Sequence, residues 1–285
     1  MFLHYRTQGF ILKKTNRGEA DRIFTIYTKD FGKLEILCKA IRKISSKLRS
    51  GTELFYLSEI EFIQGKTHKT LTDVILIESF PILRKDPERL SIAYRISEVL
   101  DNLIKGQEAD EEIWELLKET FIKLNNLKIE NEKLKIIYYY FLWNLLSISG
   151  YQPELYNCSL CQKKLLPEKL YFNPKEGGII CQSCFKKLKL IEEDKSSSSP
   201  TERAKRSEGG KERTFFDFAA ARAGKELNPE TVKILRIILE KNWPLLFKLK
   251  IEEKYLKELA SVSKNYLLLI VDEAEASSPA AILIY

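Results

Sequence analysis

Four of the five cysteines in this chain fall in one stretch, Cys158 to Cys184, which reads "CSLCQKKLLPEKLYFNPKEGGIICQSC". Cys158 and Cys161 form one C-x-x-C pair, Cys181 and Cys184 a second, and nineteen residues separate them. A C-x-x-C knuckle offers two sulfurs from one tight turn, and zinc favours a tetrahedral shell of thiolates, so this spacing points to one zinc ion held by all four side chains. Two matched pairs without a βαβ pattern argue against a thioredoxin-like redox pair. An iron–sulfur cluster would use the same ligands and stays open. Closed coordination by four thiolates leaves no position for an activated water, so the expected ion is structural and not catalytic. Between the knuckles, "KLYFN", "PKEGG" and "II" read as a short hairpin with Gly177 and Gly178 at its turn, which predicts a zinc ribbon.

The surroundings of this insert are consistent with a reducing compartment. The chain opens without a basic segment, apolar run and small-residue cleavage site, so no secretory signal is expected. Its longest apolar run, Ile136 to Ile148, is broken by Asn144 and Ser147 and falls short of the ~20 residues that span a bilayer. It reads as a buried helix ended by Gly150. The expectation is a cytoplasmic protein with no membrane association, in which clustered cysteines bind metal.

The first eighty residues read as strands. "TQGFILKK" (7–14), "RIFTIYT" (22–28), "GKLEILCKA" (32–40), "ELFYLSEIEFI" (53–63) and "KTLTDVILIES" (69–79) are rich in β-branched and aromatic residues and are separated by turn residues. Five short strands in this length predict a small barrel. Leu34, Ile36, Cys38 and Ala40 alternate with Lys33, Glu35 and Lys39, which places Cys38 inside as a buried thiol. After Pro81 the period becomes helical, with apolar stripes Leu90/Ala93/Ser97/Leu100/Ile104, Ile113/Leu117/Phe121/Leu124 and Leu134/Ile137/Phe141/Leu145/Ile148. Asn228 and Pro229 predict the N-cap and first residue of a further helix, and another is expected near 252–264.

The resulting plan is α+β. An OB-fold barrel (1–80) precedes a helical domain (81–152), which is interrupted by the zinc ribbon (153–190) and a low-complexity loop (191–226) and resumes over 227–285. In the loop, "EEDKSSSSPTERAKRSEGGKER" (192–213) is too polar to bury a core, and its Arg203, Lys205 and Arg206 are expected in solvent. Residues 273–285 fit neither helix nor strand. With 285 residues and 44% hydrophobic composition, the chain has material for about two packed domains.

Enzymatic constellations are absent from the sequence: no phosphate-cradling G-x-x-x-x-G-K-[ST] loop, no G-x-G-x-x-G, no H-E-x-x-H. The two histidines, His4 and His68, carry no motif, and the acids of "EADEE" (108–112) suit a helix N-terminus. Charge is more informative. Of the net +7, residues 1–80 hold 14 Lys/Arg against 9 Asp/Glu, whereas residues 81–150 hold 10 against 12. Within the basic half, "CKAIRKISSKLRSG" (38–51) places Lys39, Arg42, Lys43, Lys47 and Arg49 in eleven residues with no acid between Glu35 and Glu53. A loop of this kind on a small barrel can follow a phosphate backbone and release its counterions. Ile41, Ile44 and Leu48 are expected to anchor it.

The stretch "GFILKKTNRGEADRIFTIYTKDFGKLEILCKAIRKISSKLRSG" (9–51) resembles the opening of the RecO family of bacterial recombination mediators, including its "G-x-V-L-x-x-x-x-x-x-E-x-D-R-I-x-T" pattern, its "G-K" turn and the "x-K-G-x-R-x-x-x-S" stretch. Ala40 stands where the family usually has Gly. "LIESFPILRKD" (76–86) is also similar, and the likeness covers residues 1–190 well and 227–270 more loosely. The resemblance implies a non-enzymatic, nucleoid-associated mediator in DNA recombination and repair that binds single- and double-stranded DNA and anneals complementary strands. It also implies cooperation with RecR, contact with single-stranded-DNA-binding protein and help in loading RecA. Its DNA contacts would fall on Lys39, Arg42, Lys43, Lys47 and Arg49. NAD-dependent DNA ligases also join an OB-fold to a four-cysteine site, but this chain lacks their K-x-D-G nucleophile motif. An RNA-binding or transcription-associated zinc-ribbon protein remains the alternative.

Overall fold

The computed structural model describes residues 3–126, 131–196 and 224–276. Two compact units divide the chain between Leu145 and Leu146. The polar stretch with Arg203, Lys205 and Arg206 lies outside the described residues, as does the tail beyond Ala276. Among the described residues, no helix is long and apolar enough to cross a membrane.

The first unit begins with a closed five-stranded barrel of β1 (His4–Arg17), β2 (Asp21–Thr28), β3 (Gly32–Cys38), β4 (Leu57–Gln64) and β5 (Lys69–Glu78), in the order β1-β2-β3-β5-β4. All pairings are antiparallel except β3 with β5, which touch at Ile36↔Lys69 and Leu37↔Thr70. This is the OB-fold arrangement. Alternation fills the interior: Ile11, Phe24, Ile26, Leu34, Ile36, Cys38, Ile60, Phe62 and Leu71 form its core. The buried Cys38 has its thiol pushed up to about 11, by burial first and by Asp21 second. Its ionisation therefore opposes folding, and that effect grows as pH rises from the ordinary thiol range toward 11.

β3 ends earlier than the apolar alternation suggests. Ala40 lies beyond it with φ 53°, in the left-handed region, so it turns the chain and does not extend the strand's inner face. β4 likewise starts at Leu57, and residues 53–56 belong to the preceding connection.

Helices α1 (Pro81–Lys85), α2 (Pro87–Leu103), α3 (Glu111–Asn126) and α4 (Asn131–Ile148) follow. The predicted stripes fall on α2, α3 and α4, except that Ile104 caps the end of α2 in extended backbone and lies outside it. Asp86 caps α2 by accepting from the Glu88 and Arg89 amides, and Asp110 accepts from Ile113 at the start of α3. The helices meet the barrel around Phe10, whose ring lies 5.3 Å from Trp114 and 5.2 Å from Phe121. On the other side, the 104–110 connection covers part of the β2–β3 face. Asp101 takes Lys33 at 3.0 Å, Tyr27 is fully buried, and Glu108 O lies against Gly32. An OB-fold's usual groove on these strands is thus partly occupied by the chain itself.

The second unit holds an antiparallel hairpin, β6 (Leu170–Asn173) and β7 (Gly178–Cys181), followed by α5 (Gln182–Ser196), β8 (Lys225–Leu227), α6 (Pro229–Leu239), α7 (Trp243–Lys248) and α8 (Glu253–Ala276). β8 adds to β6 as a third strand. Asn228 caps α6 as its sequence predicts, accepting from the Glu230 amide at 3.0 Å. α8 runs well past residue 264 and takes in 273–276, which the sequence left without structure.

The packing at Gly32 sets a sharp test. Its φ of +59° excludes β-carbons at low cost, and an added Cβ would stand 2.2 Å from Glu108 O. Gly18 has the same φ of +59° with nothing within 4 Å. Gly32→Ala is expected to cost about 2–4 kcal/mol and Gly18→Ala about 1 kcal/mol in denaturant titrations. Equal losses would mean that the 104–110 connection does not pack on the barrel.

Candidate nucleic-acid interface and metal centre

The basic segment is a built surface. Its first turn is docked on the β1–β2 hairpin: the Ala40 amide donates to Asp21 Oδ1 at 2.8 Å, the Arg42 amide to Ala20 O at 3.0 Å, and the Arg42 guanidinium to Gly18 O at 3.3 Å. Its far end is a single 3-10 turn, Lys47–Gly51, held where Ser58 Oγ donates to Gly51 O at 2.8 Å and where Gly51 packs on Val74. Ile41 is buried in the barrel core and Leu48 packs against it. Ile44 departs from the expected anchoring, since it stands 94% exposed at the middle of the loop. With Ile41 and Leu48 filling the available core, nothing remains for Ile44 to pack on.

Lys39, Arg42, Lys43, Lys47 and Arg49 are all exposed, and among the described residues none of them is in an ion pair. Several other barrel cations are neutralised: Arg6 pairs with Glu59 and Glu61, Lys14 with Glu53, and Lys33 with Asp101. The loop therefore presents unneutralised positive charge on a fixed backbone, which suits a polyanion.

In the second unit, β7 brings the knuckles together. Residues 154–159 pair along its free side: Ile179 donates to Glu154 O and Ser159 donates to Ile179 O, both at 2.9 Å. Gly178 is required there, because a Cβ would lie 2.5 Å from Glu154 O. The Glu154 carboxylate, held below its usual range by the Asn157 and Tyr156 amides, fixes the turn into the first knuckle. Cys158 then lies beside the end of β7, with the Cys181 amide donating to its sulfur at 3.4 Å. Cys184 falls in the first turn of α5, which sets it beside the end of β7.

All four sulfurs lie within 4.8 Å of one another. Tetrahedral coordination at about 2.3 Å per Zn–S bond separates sulfurs by about 3.8 Å. The Cys161–Cys181 separation of 3.9 Å fits this. The thiols compete for charge. Burial disfavours ionisation of both Cys181 and Cys184; hydrogen bonds led by Ser183 bring Cys181 down to about 6, while the neighbouring sulfurs add to burial and push Cys184 up to about 12. A metal ion resolves that crowding, and the four residues can hold one. Aromatic stacking of Tyr171 on Phe185, 3.7 Å between centroids, backs the cluster.

Sequence reasoning missed α5 and β8, which support the second knuckle and the ribbon sheet. The apolar positions Phe185 and Leu188 at helical spacing were the available signal for α5.

Residues 1–80 match the family model described as Recombination protein O N terminal, and residues 84–193 match Recombination protein O C terminal. The DNA repair protein RecO of Dehalococcoides mccartyi is 31% identical over 255 residues, which is 90% of this chain and 86% of the relative. The chain belongs to the RecO family. Two further RecO relatives bracket the match: that of Acetivibrio thermocellus is 29% identical over 264 residues, covering 93% of this chain and 90% of its own, and that of Moorella thermoacetica is 31% identical over 181 residues, covering 63% and 66%. The family match places this chain in DNA repair, and the C-terminal model reaches through both knuckles to residue 193.

If the four sulfurs form one site, the protein as purified carries one metal ion per chain. Cys158→Ser is expected to lose that ion by elemental analysis and to lower the unfolding temperature, while single-stranded DNA affinity stays within about twofold of the parent. Full metal retention in Cys158→Ser/Cys181→Ser would rule the site out.

Proposed function

We propose that this RecO protein is a recombination mediator that binds single- and double-stranded DNA through its barrel loop and anneals complementary strands. The observation that carries this reading is the basic segment: five exposed cations, in no ion pair among the described residues, held on a backbone that is tied at both ends. Lys39, Arg42, Lys43, Lys47 and Arg49 neutralise phosphates and read no base edges, which fits a factor that must act on any sequence. Neutralisation also explains annealing, because screening phosphates lowers the repulsion between two strands held near one another. With RecR, the protein helps load RecA onto DNA coated by single-stranded-DNA-binding protein. It acts in the cytoplasm at the nucleoid.

In this reading the ion held by Cys158, Cys161, Cys181 and Cys184 is zinc. All-sulfur tetrahedral donors suit it, and its closed shell gives it a folding role, with apparent binding free energies on the order of 10 kcal/mol for such sites. The cysteines then hold the ribbon sheet together, and DNA contact falls to the loop.

Two measurements test the proposal. If all five cations contact single-stranded phosphates, they contribute about −3.5 to the slope of log K against log salt, from about −0.7 each. Arg42→Ala/Lys43→Ala should reduce the slope's magnitude by about 1.4 with an unchanged melting temperature; an unchanged slope removes the loop from the binding surface. Annealing of complementary strands coated by single-stranded-DNA-binding protein should accelerate with this protein and respond to RecR. No acceleration in either condition, together with tighter binding to RNA than to DNA, would reject the mediator reading.

A further inference from the structure

A cleft of about 420 Å³ opens between β1 and α2 in the first unit, with Leu12, Leu54 and Tyr94 as its apolar walls and Lys13, Lys14 and Ser97 among its polar groups. Its size falls within the ~300–1,000 Å³ of small-molecule sites. A β-bulge builds it. The β1–β2 pairing shifts register between Ile11 and Lys13, leaving Leu12 as the extra residue. Ile11 stays in the barrel core, while Leu12, Lys13 and Lys14 all line the cleft. The bulge sets the extra residue Leu12 next to Lys13, ahead of the regular Lys13↔Thr25 and Lys14↔Phe24 pairs, and re-aiming a side chain is a common use of bulges beside functional sites.

Two further details point to a ligand. Ser97 is 6% exposed, and its Oγ makes no hydrogen bond among the described residues. A helical serine ordinarily bonds back to its own helix, and an unmade bond at a buried hydroxyl is costly. Tyr94, in contrast, is 49% exposed yet fixed in place, its ring at 82° to that of the fully buried Phe55 and 4.9 Å from it. A held, half-exposed aromatic ring next to an unsatisfied hydroxyl and two lysines is the equipment of a stacking site.

We propose that this cleft takes one unstacked nucleobase of single-stranded DNA. The base lies on Tyr94 between Leu12 and Leu54, its polar edge meets the exposed Asn102 and the Ser97 hydroxyl, which turns out from its shielded position to reach it, and the flanking phosphates meet Lys13 and Lys14. Lys13 already pairs with Asp101 at 3.2 Å and Lys14 with Glu53 at 3.2 Å, but an ammonium has three donors and each keeps some for phosphate. Glu98 and Asp101 at the rim accept from exocyclic amines and repel an acidic peptide, which selects a base over that competitor. The cleft is also continuous with the basic loop: the loop's last residues, Phe55 and Tyr56, hydrogen-bond to both backbone groups of Ile11 at the bulge. Phosphate contacts on the loop thus lead to a base contact on the barrel, which gives the protein a reason to prefer single strands to duplex.

This inference rests on the DNA-binding reading above, and the test separates the two. Binding of the full chain is measured with a mixed-sequence single-stranded oligonucleotide and with an abasic strand of equal length. Tyr94→Ala is expected to weaken binding of the base-bearing strand by about 5–100-fold, as for the loss of one stacked base. It should leave the abasic affinity and the salt slope unchanged. Tyr94→Phe should retain affinity, and Ser97→Ala, which folds without strain, should weaken the base-bearing strand alone. Equal loss on both strands, or no loss on either, overturns the cleft while the DNA reading stands, provided Arg42→Ala/Lys43→Ala still flattens the slope. If the parent protein binds neither strand, both readings fall.

Discussion

Two backbone hydrogen bonds at the bulge of β1 hold the functional surface in place. The Ile11 amide donates to Tyr56 O at 3.0 Å and the Phe55 amide donates to Ile11 O at 2.8 Å. Ile11 is the last paired residue before the bulge, which leaves Leu12 out of the ladder to β2. Residues 55–56 bond both backbone groups of Ile11 and, in doing so, anchor the end of the connection that carries the basic loop to the strand that carries Lys13 and Lys14. The loop's start is tied just as firmly to the β1–β2 hairpin through Asp21. Its positive charges are thereby held in place by backbone bonds, the Asp21 carboxylate taking a backbone amide and, among the described residues, no side-chain cation.

That arrangement also accounts for where the barrel is open. The end of α2 and the connection after it lie over β2 and β3, with Asp101 of the helix neutralising Lys33 and Glu108 of the connection against Gly32. Burial there favours a single-chain fold at the expense of the face that OB-folds commonly use. Charge available to a nucleic acid is shifted to the other connection of β3, the segment from Lys39 to Arg49. The cysteine-rich unit follows a different logic. Its strands are only four residues long although nearly every residue in them is buried, and the four clustered sulfurs can hold a metal ion that would tie the two knuckles together.

The sequence made some of this plain and hid the rest, for physical reasons. Alternation over 32–38 and the apolar periods after Pro81 announced the barrel and its helices, because burial on one face leaves a regular imprint. The four cysteines announced their site because ligand spacing is nearly independent of context. By contrast, Ala40 looked like a further strand residue, since nothing local records that Asp21 would capture its amide and turn the chain at φ 53°. Ile44 looked like an anchor, but its exposure depends on a core already filled by Ile41 and Leu48. Bulge, cleft and the orphaned hydroxyl of Ser97 all arise from pairing between distant segments. The one local hint was a serine standing in the apolar stripe of α2.

The central claim is that single-stranded DNA lies on the barrel loop and the adjoining cleft, with the metal ribbon serving to hold its own unit together. Ultraviolet crosslinking of the full, metal-loaded protein to single-stranded DNA, followed by mass spectrometry of the crosslinked peptides, tests it most directly. Crosslinks should concentrate in peptides spanning 39–56 and at Tyr94 and should persist after the metal is chelated. Crosslinks confined to residues 158–184, or lost along with the metal, would contradict the account.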